Sequence, residues 1–118
     1  SPVVEPTSLL SGCDLVRQEA SKYSDWDINT MVAISHAESG CVADNDNTSS
    51  AETHRDYYGN AICVGSYGAM QIGCVHYQQD PQALDNLELN ISVAHSVWLK
   101  QGYSAWTMYN NGKYLKFL

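Results

Sequence analysis

Apolar residues recur along the chain at helical spacing in three places. Cys13, Val16, Ala20 and Tyr23 fall at i, i+3, i+7 and i+10, which predicts a first helix running from about Leu9. A second helix is predicted over 27–39. Ser24 followed by Asp27 resembles a capping box at its start, and Gly40 is a natural stop. Met31 and Ile34 share a face of that helix, and Glu38, seven residues from Met31, falls on it too. The third helix is predicted over 85–102, where Leu87, Ile91, Ala94 and Trp98 repeat on one side and Gly102 ends the run.

Between the second and third helices the pattern changes. Residues 41–66 are rich in Asp, Asn, Ser, Thr and Gly, so turn chemistry dominates. Tyr57–Tyr58 and Ala61–Val64, joined by Gly59-Asn60, are predicted to pair as a hairpin. Residues 67–79 read as a turn feeding a short helix that Pro81 ends. The tail packs aromatics around an Asn-Gly turn. Residues 1–8 hold two of the three prolines and no periodicity, and are read as an N-terminal arm. The layout predicts one domain spanning 1–118, of α+β class and mostly α-helical.

Charge narrows the function. Thirteen acidic and six basic residues leave the chain at −7. That balance disfavours duplex nucleic acid as a partner and attraction to anionic lipid. No apolar run approaches the ~20 residues that span a bilayer, so membrane insertion is not expected. Four cysteines without a Cys-x-x-Cys spacing fit two disulfides made in an oxidising compartment, hence a secreted, periplasmic or cell-surface protein. Three pairings are open, and Cys41–Cys63 with Cys13–Cys74 is the one expected.

Three segments carry candidate chemistry. Glu38 sits in the last turn of its helix, where the dipole is negative, on a face expected to be buried. Both effects favour the neutral acid, the state a proton donor needs. The plain alternative is a side chain turned to solvent. The glycine-rich run 65–73 allows close backbone approach, and Gln71 offers donors and an acceptor to sugar hydroxyls. Residues 106–112 hold Trp106, Tyr109 and Asn110, either a sugar-binding wall or an aromatic core ending in a turn. Asp44-x-Asp46-x-Thr48 begins like a calcium loop. Ser49 stands where Gly is required, however, and Arg55 where Glu is. The histidines lack a zinc-binding spacing, so neither metal nor cofactor is expected.

Taken in order, AISHAESG (33–40), SYGAMQIG (66–73), NISVAHSVW (90–98) and YNNG (109–112) resemble the lysozyme-like superfamily, nearest to soluble lytic transglycosylases and goose-type lysozymes. The resemblance covers about residues 12–114. It implies a helical domain with a small β-hairpin lobe and a sugar-binding cleft. The implied substrate is the β-1,4 MurNAc–GlcNAc strand of peptidoglycan, and the enzyme is expected to be a monomer.

Carried over by position, Glu38 matches the family's catalytic acid. Ser66 matches a residue that helps place the N-acetyl group. Tyr67, Met70 and Gln71 fall in the motif that lines the cleft. Tyr109 matches the Tyr that approaches the acid, and Asn110 its neighbour. Where animal-type lysozymes carry a nucleophilic Asp, this chain has Ser66. Two routes remain: a transglycosylase in which Glu38 acts alone, giving a 1,6-anhydro product, or a hydrolase with a second carboxylate. Asp44, Asp46, Glu52 and Asp56 are the candidates, with Asp56 and Asp46 put forward. A glycan-binding module without turnover is the competing reading. A chain at −7 should be repelled from phosphate-rich walls, so whole-cell lysis is expected to run no faster at low ionic strength than at high. Lysis rates across a salt series check this.

Overall fold

The computed structural model describes residues 11–118. The expected arm, residues 1–8, lies outside them. The fold is α+β: helices α1 (Gly12–Ala20), α2 (Ile28–Ser39), α3 (Leu87–Gln101) and α4 (Thr107–Asn110), with strands β1 (Thr53–Arg55), β2 (Ala61–Val64), β3 (Ser66–Tyr67) and β4 (Ile72–Gly73) between α2 and α3. The strands form two antiparallel hairpins, β1–β2 and β3–β4. Short 3-10 turns link the remaining segments. None of the described helices is long and apolar enough to cross a membrane.

Each long helix has a local reason to start and stop. Ser11 caps α1: its Oγ accepts the Asp14 N–H at 3.2 Å, and the Asp14 carboxylate accepts the Ser11 N–H at 3.2 Å. α2 starts from Asp27, not Ser24. The Asp27 carboxylate takes the Thr30 hydroxyl at 2.5 Å, so it does not bond the helix backbone. Gly40 ends α2 at φ 69°, donating its N–H to His36 O. Asn86 caps α3 by accepting the Leu89 N–H at 3.0 Å.

Val16 and Ala20 of α1, Met31 and Ile34 of α2, and Ile91 and Ala94 of α3 meet in one apolar core with Met70, Ile72, Leu84 and Trp106. Each of these side chains is at most 4% exposed, so the predicted helical faces are the buried ones.

Three expectations are corrected. The disulfides are Cys13–Cys41 and Cys63–Cys74, not Cys41–Cys63 and Cys13–Cys74. Packing of α1 on α2 brings the first turn of α1 to the residue just past α2. Cys63 on β2 meets the turn that follows β4, 11 residues on. The first hairpin pairs Thr53–Arg55 with Ala61–Val64, while Tyr57 and Tyr58 stand exposed at its tip. Asp56 closes that longer loop, its carboxylate accepting the N–H groups of Tyr58 and Asn60, both at 2.9 Å. Residues 66–73 form a hairpin where a turn into a helix was expected, and only Cys74–Tyr77 make a 3-10 turn. Gly68 and Gln71 have φ of 76° and 48°, values a right-handed helix does not admit.

The loop of that second hairpin is held from inside. Asn90, fully buried, donates from Nδ2 to Tyr67 O at 2.8 Å and Leu84 O at 2.9 Å, and accepts the Met70 N–H at 3.0 Å. Ser35 and Ser39 of α2 both donate to Ala69 O, at 2.8 and 2.7 Å. Trp106 Nε1 donates to Met70 O at 2.9 Å. A Cβ at Gly68 would lie 2.5 Å from Leu84 O and still closer to the Asn90 amide, so only glycine fits there. Asn90→Ala strands three buried backbone groups and is expected to destabilise the fold by about 3 kcal/mol, read as a lowered midpoint in urea unfolding.

Candidate functional site

A cleft of 470 Å³ opens between the hairpin lobe and the helices. The end of α2 brings Glu38 to it. The segment leading into β1 contributes Asn47 and Glu52, and the second hairpin Ser66 and Gln71. Across from them the segment Ala105–Met108 forms a wall. The connections just described set this geometry. Ser35 and Ser39 tie α2 to the loop between β3 and β4, and Trp106 ties the wall to the same loop.

Glu38 is half-buried, and its carboxyl is held above the ordinary value of 4.5. Burial is the main cause, because it removes water from the charged form. The backbone N–H of Met108, 3.5 Å from Glu38 Oε2, opposes the shift. The negative charge of Glu52 adds to it. Glu52 accepts the Ser66 hydroxyl on Oε2 at 3.0 Å and the Asn47 amide on Oε1 at 3.2 Å. These donors fix the orientation of its carboxylate. Two carboxyl groups in different surroundings therefore share one cleft.

Two imidazoles complete the polar lining. Burial lowers the His76 pKa, and the nearby His54 and Lys100 lower it further. His54 Nε2 is buried and has no hydrogen-bond partner among the described residues. No group of three or more His, Cys, Asp or Glu among the described residues is placed to hold a metal ion.

Of the residues singled out from sequence, Glu38, Glu52, Ser66, Gln71 and Trp106 line the cleft. Gln71 is anchored, its Nε2 donating to Asn45 O and, at 3.0 Å, to Gly68 O. Tyr67 and Met70 instead turn into the core, with Met70 fully buried and the Tyr67 hydroxyl donating to Val64 O at 3.1 Å. Tyr109 stacks between Tyr103 and Tyr114, and Asn110 donates to Ser104 O at 2.8 Å. None of these four is among the residues lining the cleft. Nor are the two acids put forward. Asp56 closes the exposed hairpin tip. Asp46 accepts the Gln82 amide at 2.7 Å beside Asp85, whose own carboxyl is pushed up to about 6 by burial and by Asp46.

Glu52 thus joins Glu38 in the cleft, along with His54, which the sequence reading passed over. Glu52 ends the 3-10 turn Ser50–Glu52 and His54 lies in β1, so no local periodicity in the sequence pairs them. Compared with known proteins, the chain matches no family model, no curated protein and no solved structure.

The Glu38 shift has a thermodynamic consequence. A carboxyl whose folded pKa is raised binds more protons folded than unfolded. Its contribution is favourable at low pH and is lost as pH rises from 4.5 through the raised value. Glu38→Gln, which fixes the neutral form, is expected to unfold at higher urea than the parent at pH 7, with the advantage gone below pH 4. Glu52→Gln should lower the Glu38 midpoint in a carboxyl-resolved NMR titration.

Proposed function

We propose that the chain is a secreted muralytic glycosidase with a lysozyme-like fold, acting as a monomer on the β-1,4 MurNAc–GlcNAc linkage of peptidoglycan. The observation that carries this reading is the pair in the cleft: a half-buried Glu38 with a raised pKa, and a Glu52 whose carboxylate is held by Ser66 and Asn47. The ordered motif resemblance supplies the substrate class. The two disulfides fit an oxidising compartment and thus export.

In this mechanism Glu38 enters protonated and gives its proton to the glycosidic oxygen. The C1–O bond breaks, the leaving sugar departs as an alcohol, and positive charge develops at C1 and the ring oxygen. Glu52 faces that charge and takes a proton from the water that attacks C1. The product is a new reducing end. Afterwards Glu38 is ionised and Glu52 protonated, and exchange with solvent restores both.

Ser66 occupies the place where animal-type lysozymes carry a carboxylate. Its hydroxyl bonds Glu52, so a carboxylate reaches that side of the cleft from the turn that precedes β1. This favours hydrolysis over the transglycosylase route, in which one acid acts alone.

Mass spectrometry of fragments released from purified sacculi tests the proposal. Reducing ends are expected. Anhydro-muramic ends would mean a transglycosylase, and bound glycan without fragments a binding module. Glu38→Gln is expected to lower cleavage by about 10²–10⁴-fold, and Glu52→Gln by about a hundredfold, with both proteins folded. Full activity in folded Glu38→Gln removes the reading.

A further inference from the structure

The distribution of positive charge points beyond the cleft. Arg17 donates to the Asn29 amide oxygen at 2.7 Å, Lys22 pairs with Glu19 at 2.6 Å, and Arg55 donates to Gly59 O at 3.0 Å. Lys100, Lys113 and Lys116 form no ion pair among the described residues. Two of those three, Lys113 and Lys116, border one hollow of 230 Å³.

His36 and Phe117, stacked with ring centroids 3.8 Å apart, line the same hollow. Met108 lines both this hollow and the cleft, and its backbone N–H faces Glu38. Among the described residues no acidic side chain lines the hollow, although the chain as a whole is at −7. A compact recess with two ammonium groups and an imidazole, next to the cleft, suits a carboxylate on a branch of the bound polymer.

We propose that the hollow at His36, Lys113 and Lys116 binds a carboxylate of the peptide carried by the glycan, so that the preferred substrate is an acidic, peptide-bearing strand rather than a neutral one. This rests on the cleft being the glycan site. The sugar chain lies along the cleft and the peptide leaves it past Met108. The ammonium groups meet the peptide's carboxylate, while the Phe117 ring and the Met108 side chain cover its apolar part. Both lysines are exposed, so changing them leaves the core intact.

Calorimetric binding to the full chain carrying Glu38→Gln separates this from catalysis. The ligands are a GlcNAc–MurNAc tetrapeptide, the same compound with its peptide carboxylates amidated, the peptide-free disaccharide with only its lactyl carboxylate, and chitotetraose. The acidic tetrapeptide is expected to bind about five- to tenfold more tightly than its amide. Lys113→Gln with Lys116→Gln should erase that difference, while Lys22→Gln should keep it and chitotetraose should bind alike throughout.

Equal binding of acid and amide, or a difference that survives the double substitution, overturns the inference and leaves the cleft reading standing. An equal loss for the peptide-free disaccharide in the double variant assigns the contact to the lactyl group and overturns the peptide assignment. If none of the four ligands binds, the cleft reading fails and this inference fails with it.

Discussion

The Tyr67 carbonyl at the end of β3 and the backbone of residues 69–70 turn into the interior, and side chains supply their hydrogen-bond partners. Asn90 from α3 satisfies Tyr67 O and the Met70 N–H, Ser35 and Ser39 from α2 satisfy Ala69 O, and Trp106 satisfies Met70 O. Each unmade bond in such a place would cost more than an ordinary hydrogen bond contributes, because the buried group has no water to fall back on. The loop is therefore a hub to which α2, α3 and the segment before α4 are each fastened. Glu38 lies one residue from Ser39, and Met108 two residues from Trp106. The polar hub thus sets the separation between the acid and the opposing wall.

That arrangement sets the ionisation of Glu38 against stability. A carboxyl drawn partly out of water resists ionisation, and the same withdrawal weakens the fold once it does ionise. Among the described residues a single backbone N–H, from Met108, offsets the penalty. Glu52 contrasts with it. Two neutral donors orient it, and its charge acts back on Glu38 across the cleft. Unequal surroundings for two similar groups give the site its polarity.

The hairpin lobe has little core of its own. No residue of β1 or β2 is fully buried, and Ile62 and Val64 are exposed. A two-stranded ribbon of that kind is marginal alone. Cys63–Cys74 joins it to the turn after β4, whose Cys74 is fully buried in the main core. By loop-closure arguments a bridge over so short a loop stabilises by about 3 kcal/mol. The 3-10 turn ending at Glu52 and the strand holding His54 are thereby kept against the cleft.

Much was legible in the residues themselves. The faces of α1, α2 and α3, the stops at Gly40 and Gly102, and the placement of Glu38 on a buried face follow from periodicity and local backbone preference, which act over a few residues. The disulfide pairing, the strand opposite Ala61–Val64, and the inward turn of Tyr67 and Met70 did not follow. Each depends on which distant segments meet, and short polar strands carry too few apolar positions to announce their register. Gln71 and Met70 are neighbours, yet one reaches the cleft and the other the core, because Asn90 and Trp106 hold the chain between them. Local pattern determined where the acid would sit on its helix. Only the tertiary structure decided that Glu52, rather than Asp46 or Asp56, would share its cleft, since the hydrogen bonds from Ser66 and Asn47 exist only once the lobe has folded.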